Sequence, residues 1–230
     1  MNNRQIRRWH LFPDKNELVV ALRSKLLLAA EEAIEKQGRF TIVLAGGETP
    51  TILYRTLVDA KTDWNAWHIY FGDERCLPKD DPQRNDFMAK TAWLNHVSIP
   101  SNQINNIPAE LGAEEGAKQY HERLSNVATF DLVLLGLGED GHTASLFPNG
   151  EATYATENTI AVINAPKAPL ERISLTAQRL GQTDELFFIV TGSNKQNAVQ
   201  QWRNNEQIPA AKIQPDTGRA DVFLDALAAN

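Results

Sequence analysis

The chain has 230 residues, 42% of them hydrophobic and 23% charged, enough to bury a full core in one domain spanning 1–230. A formal net charge of −6 disfavours polyanionic partners, so nucleic acid is not expected and any phosphate must be held by a local cluster of donors. The single cysteine, Cys76, excludes an internal disulfide, and neither the N-terminal MNNRQIRRWHLF nor the apolar run at 26–30 has the length of a leader or a membrane span, so a cytoplasmic protein without a membrane partner is expected.

After a strand-like first segment, residues 14–36 place Leu18, Leu22, Leu26, Ala29 and Ala33 on one stripe at helical spacing. Asp14 with Glu17 resembles a capping box, and together these predict an amphipathic helix. FTIVLA at 40–45 is a short β-rich apolar run of the kind found in strands buried on both faces. It leads through Gly46, Gly47 and Glu48 to Thr49, suited to an N-cap, and Pro50, suited to a first helical position. Strand-like runs at 67–71, 130–135 and 186–190 then alternate with helical stretches at 85–94, 113–124 and 195–202, with a long polar loop expected over 72–84. That rhythm implies an α/β fold with a mainly parallel sheet covered on both sides, and ligands in such folds sit beyond the carboxyl ends of the strands.

Three post-strand segments carry residues suited to chemistry. Gly46-Gly47 before a helix offers free N–H groups and the positive end of the helix dipole to an anion, although a plain tight turn would read the same, and Glu48 must point away for a phosphate to approach. Phe71-Gly72-Asp73-Glu74-Arg75-Cys76 is either a solvated loop or a source of Arg75 for an oxyanion; Cys76, with no base beside it, reads as a small buried side chain. The third segment, GLGEDGHTASLFP from Gly136, contains GxGxxG. Glu139 and Asp140 would repel a pyrophosphate, and no acidic residue follows at dinucleotide spacing, which argues against that motif's usual role. Of the five histidines only His142 sits in a glycine-rich turn after a strand, where it reads as a helix start. A structural histidine is the bland alternative; the functional one is a general base with Asp140 to orient it. Arg172 and Lys195 could join the Gly46 turn around one phosphate dianion, and no zinc-like ligand spacing occurs, so no metal or cofactor is expected.

The ordered set GGETP, FGDER, GLGEDGHTASLFP, ERISLT and GSNK, spread over nearly the whole chain, resembles the glucosamine-6-phosphate isomerase/6-phosphogluconolactonase family on its lactonase side, GHTASLFP being the most specific part. The resemblance implies a three-layer α/β/α sandwich with a Rossmann-like sheet, like that of the glucosamine-6-phosphate deaminases. It implies hydrolysis of a small-molecule substrate, 6-phospho-D-glucono-1,5-lactone, in the oxidative pentose phosphate pathway, by a monomer or weak homodimer. It also implies His142 as catalytic base, Asp140 and Arg75 as its active-site neighbours, and Gly46, Gly47, Thr49, Asp73, Arg172 and Lys195 as the substrate- and phosphate-binding set. Ala45 and Glu48 stand where the family's commoner SGGST motif has serines. A deaminase is the nearest rival, but Arg75 and the ThrAlaSerLeuPhePro run replace that group's Asp-Glu-Tyr and Ala-Phe-Asn-Glu-Pro. A sugar-phosphate sensor fused to a DNA-binding domain is a further alternative, for which the early start of the core leaves no room.

Overall fold

The computed structural model describes residues 6–150 and 155–230; the opening MNNRQ of the N-terminal segment lies outside these. Strand β1 (Ile6–Phe12) leads into helix α1 (Lys15–Gln37). Asp14 caps α1 by accepting from the amides of Asn16 and Glu17 at 2.7 and 3.0 Å, and Gly38, at φ 75°, ends it in the left-handed conformation. The stripe Leu18, Leu22, Leu26, Ala29 and Ala33 is buried, as its spacing requires.

Strand β2 (Phe40–Leu44) is buried throughout and is followed by α2 (Glu48–Arg55). This helix starts earlier than the sequence suggests: Gly47, at φ 115°, takes the cap position, so Thr49 and Pro50 fall inside the first turn. The glycine lets the chain turn straight into the helix, and the Thr49 hydroxyl pairs with that of Thr191 at 2.6 Å instead of capping.

The chain continues through β3 (Trp67–Phe71), β4 (Asp73–Arg75), α3 (Asn85–Ala92), α4 (Ala113–Arg123) and β5 (Phe130–Gly136). After these come β6 (Thr159–Val162), β7 (Arg172–Leu175), α5 (Ala177–Gly181), β8 (Thr183–Val190), α6 (Gln196–Arg203), α7 (Pro209–Lys212), β9 (Arg219–Asp225) and α8 (Ala226–Ala229). Six strands form one sheet in the order β1-β9-β8-β5-β2-β3, with every pair parallel. Alternate side chains of β8 face opposite layers: Glu185 feels the charges of Lys25 and Glu32 on α1, whereas Phe188 stacks edge-on against Trp202 of α6 at 4.6 Å. Helices therefore cover both faces, giving the expected three layers. No helix among the described residues is long and apolar enough to cross a membrane.

Two local expectations need correction. The polar loop at 72–84 opens with β4, which joins β7 and β6 in a second, antiparallel sheet. Three charged residues show no apolar alternation, so only pairing with β7 reveals the strand. The turn holding His142 does not start a helix either: residues 137–150, which follow β5, run as turns and irregular backbone.

In the main sheet the chain runs outward from β2 to β3, then returns to place β5 on the other side of β2. The strand order thus switches direction between β2 and β5, and a crevice opens above their carboxyl ends.

Candidate active site

A cavity of about 390 Å³ occupies that crevice, lined by the segments that follow β2, β3, β5 and β8. Gly46, Gly47, Thr49, Asp73, Arg75, His142, Arg172 and Lys195 all line it, while Asp140 stands behind the imidazole. The structure therefore brings together every residue the sequence singled out.

The Gly46 turn is clamped from below by Tyr54, whose buried hydroxyl accepts from the Ala45 amide at 3.0 Å and donates to the Ala45 carbonyl at 2.8 Å. A Cβ on Gly46 would lie 2.0 Å from Asn85 Oδ1, so any side chain there must displace the Asn85 amide. Glu48 turns outward to Lys15, Nζ to Oε1 2.6 Å, and this partner holds its carboxyl below the usual range. The acidic residue in the turn is thus answered by a base from another helix.

In β4, Asp73 is buried and accepts from Ser145 Oγ at 2.6 Å and from Asn85 Nδ2 at 3.0 Å. Glu74 points the other way, fully buried, and receives the amides of Arg75, Asn85 and Asp86 at 2.9, 2.7 and 2.8 Å, which caps α3 from a distant strand. Burial pushes its carboxyl up to about 7 against the pull of those amides. Arg75 donates through Nη1 to the Gln83 carbonyl. Its register partner across the small sheet is Arg172, whose guanidinium feels the charge of Arg75.

Arg172 is itself fixed by the Pro169 and Lys167 carbonyls, 3.0 Å from Nε and 3.1 Å from Nη2. Its charge lies over the Phe147 ring at 5.6 Å, and burial lowers its pKa. The same ring touches the imidazole of His142, centroids 4.8 Å apart. Phe147 therefore packs against both the imidazole of His142 and the guanidinium of Arg172.

The turn after β5 is built around His142. Gly138 donates its amide to the His142 carbonyl at 2.7 Å, and Gly141 takes φ 82° to close the turn. The ring Nδ1 lies 2.5 Å from Asp140 Oδ1. Burial raises the Asp140 pKa, but the hydrogen bond and charge of His142 outweigh it and keep the carboxyl below its usual range. With Nδ1 engaged by a carboxylate, the neutral ring carries its proton there and presents Nε2 as an acceptor.

Lys195 precedes α6, half-buried, with burial lowering its pKa. Beside it Glu139 accepts from Asn194 Nδ2 at 2.8 Å, and this bond, with Lys167 and Lys195, keeps Glu139 below the usual carboxylate range. Sequence reasoning missed Lys167, which also lines the cavity from the segment between β6 and β7. Its only signal is a lysine between Pro166 and Pro169 just before a strand. It also missed Asn85, which looks like an ordinary first residue of a helix. Four cations, Arg75, Lys167, Arg172 and Lys195, thus face one crevice in a chain of net charge −6.

The chain is 36% identical over 231 residues to 6-phosphogluconolactonase of Nostoc sp., covering 95% of each chain. Its structure superposes on the crystal structure of 6-phosphogluconolactonase from Thermotoga maritima with a TM-score of 0.89 at 26% identity, covering 96% of this chain and 100% of that one. A monomeric glucosamine-6-phosphate deaminase shares the fold, TM-score 0.81 at 20% identity, covering 96% and 98%. Residues 13–222 match the family described as glucosamine-6-phosphate isomerases/6-phosphogluconolactonase, and the chain belongs to that family.

Proposed function

We propose that this chain hydrolyses 6-phospho-D-glucono-1,5-lactone to 6-phospho-D-gluconate, serving the oxidative pentose phosphate pathway in the cytoplasm. The observation that carries the reading is the imidazole of His142, held through Nδ1 by Asp140 at 2.5 Å at the edge of a cavity with four cationic side chains. One end of such a cavity suits a phosphate dianion, and the other suits a carbonyl that develops negative charge. The lactonase relatives support the choice of substrate.

The chemistry needs one proton moved twice. Nε2 of His142 takes a proton from water as the water oxygen bonds to C1 and the carbonyl electrons move to oxygen. Asp140 steadies the resulting imidazolium. Arg75 or the amides of the 137–142 turn hold the oxyanion. When the oxyanion collapses, the bond from C1 to the ring oxygen breaks, and His142 returns its proton to that oxygen. The phosphate rests on the Gly46-Gly47 turn near Thr49, with Arg172, Lys195 and Lys167 supplying charge. Asp73 accepts a sugar hydroxyl.

The test follows proton release from freshly prepared lactone against its spontaneous opening, beside ammonia release from glucosamine 6-phosphate. Rapid acid release that His142→Ala abolishes, with no ammonia, is expected. Ammonia release or a fully active His142→Ala overturns the reading.

A further inference from the structure

Asn85 is 4% exposed, lines the cavity, and touches both halves of it. Its Nδ2 donates to the Asp73 carbonyl at 2.9 Å and to Asp73 Oδ1 at 3.0 Å. Both of those partners only accept, which fixes the amide orientation and turns Oδ1 toward Gly46. There Oδ1 occupies the space a Cβ would need, 2.0 Å from its ideal position. The Asn85 backbone has little freedom to adjust, because its amide is bonded to Glu74 Oε1 at 2.7 Å. The preceding Arg84 is 1% exposed and donates to the Ile107 carbonyl at 3.0 Å and to the Asp86 carboxylate at 2.9 Å. One amide side chain, seated on a rigid base, thus spans from the anion-binding turn to the carboxylate on β4.

We infer that Asn85 is a positioning residue that couples the Gly46 turn to the Asp73 carboxylate and so holds the anion end and the lactone end of the site at a fixed separation. The inference rests on the phospholactone reading above and adds to it a part that neither the sequence motifs nor the relatives assign. A bound substrate whose phosphate sits on one wall reaches its attacking water only if the other wall is in register, and misplacement by about 1 Å costs on the order of a hundredfold in rate. Asn85 acts on that register without touching the reacting atoms.

Because Asn85 donates to a carboxylate, replacing its amide by an acid has a distinctive consequence. In Asn85→Asp a second carboxyl would stand where Nδ2 now lies, 3.0 Å from Asp73 Oδ1, and could remain there only by sharing a proton with it. Glu74 and Asp86 add negative charge near this pair, while Arg75, Arg84 and Arg172 add positive charge. Glu74 titrates in wild type and variant alike, so the informative quantity is the ratio of variant to wild-type kcat/KM at each pH.

The experiment measures kcat and KM for 6-phospho-D-glucono-1,5-lactone between about pH 5 and 8, with thermal unfolding alongside. The proteins compared are wild type, Asn85→Asp, Asn85→Ala, Gly46→Ala and the Gly46→Ala/Asn85→Ala double variant. Asn85→Asp is expected to recover toward wild type as the pH falls, its ratio rising about tenfold. Gly46→Ala alone is expected to lose activity by displacing Oδ1, and the double variant to be no worse than Asn85→Ala, since removing the amide removes the clash. A ratio flat across pH, or losses at 46 and 85 that multiply, overturns the coupling. If Asn85→Asp fails to fold, the cycle between positions 46 and 85 decides. A wild type no faster than spontaneous lactone opening overturns instead the lactonase reading on which the coupling rests.

Discussion

The imidazole of His142 fills the space a side chain at residue 138 would occupy: a Cβ on Gly138 would lie 2.0 Å from Nδ1 and 2.2 Å from Cε1. Nδ1 is the atom that meets Asp140 Oδ1, so the glycine decides whether histidine and aspartate can meet. Gly138→Ala is expected to push the ring off its carboxylate and lower kcat about a hundredfold. The wider fold should persist, because the collision is with the end of a side chain. Kinetics and thermal unfolding of the variant check this, and unchanged kcat would mean the ring has another productive seat.

Asp140→Asn separates charge from shape. An asparagine can donate to Nδ1, which moves the ring proton to Nε2 and turns the proposed base into a donor. The expected loss in kcat is about 10²–10⁴-fold, with KM little changed. Stability adds a second readout. Asp140 is held below its usual range despite burial, because His142 donates to it, so its contribution is fully present above the unfolded value near ~4 and is lost as pH falls through the lower folded value. The gap in melting temperature between wild type and Asp140→Asn should therefore close in acid; a gap that widened there would contradict the assigned ionisation.

The alternating pattern of short apolar runs exposed the parallel sheet because period-two and period-3.6 signals are local. The βα order then placed Gly46, Arg75, His142 and Lys195 at one end of the strands. What stayed hidden depended on distant partners. Asp73-Glu74-Arg75 has the composition of a solvated loop and becomes a strand only by pairing with β7, and Glu74 caps a helix eleven residues away in sequence, at Asn85. Lys167 has no periodic neighbour to mark it. Thr49 was legible as a hydroxyl beside the turn, but not as the partner of Thr191, which lies 142 residues further along the chain.

Arg75 and Arg172 were assigned different ends of the substrate, yet they are register partners in the small sheet. Arg172 is clamped by two carbonyls and backed by Phe147, a setting for fixed recognition of an oxyanion group. Arg172→Gln is expected to raise KM by about ten- to a hundredfold with a modest change in kcat, whereas Arg75→Gln should lower kcat by about 10²–10³-fold. Arg172→Lys should not rescue, since an ammonium cannot reproduce the planar fork. Steady-state kinetics on the lactone decide, and a KM-only effect at both positions would place the phosphate over the pair.

Glu48 contributes negative charge to the rim of a site read as phosphate-binding, and Lys15 answers it at 2.6 Å. Because the Glu48 side chain is 80% exposed, salt screens its influence, and the pairing with Lys15 is partial in solution. Glu48→Gln is expected to lower KM about two- to fivefold at low ionic strength, with the gain shrinking as salt rises toward ~0.5 M. Lys15→Ala should move KM the other way, by unmasking the carboxylate, and combining the two changes should return KM close to that of Glu48→Gln alone. The order matters because a lysine that attracted substrate directly would weaken binding by the same factor in either background. KM measured for the four proteins at two salt concentrations separates these cases, and an unchanged KM in Glu48→Gln at low salt would show that the phosphate lies too far from the α2 terminus to sense the charge.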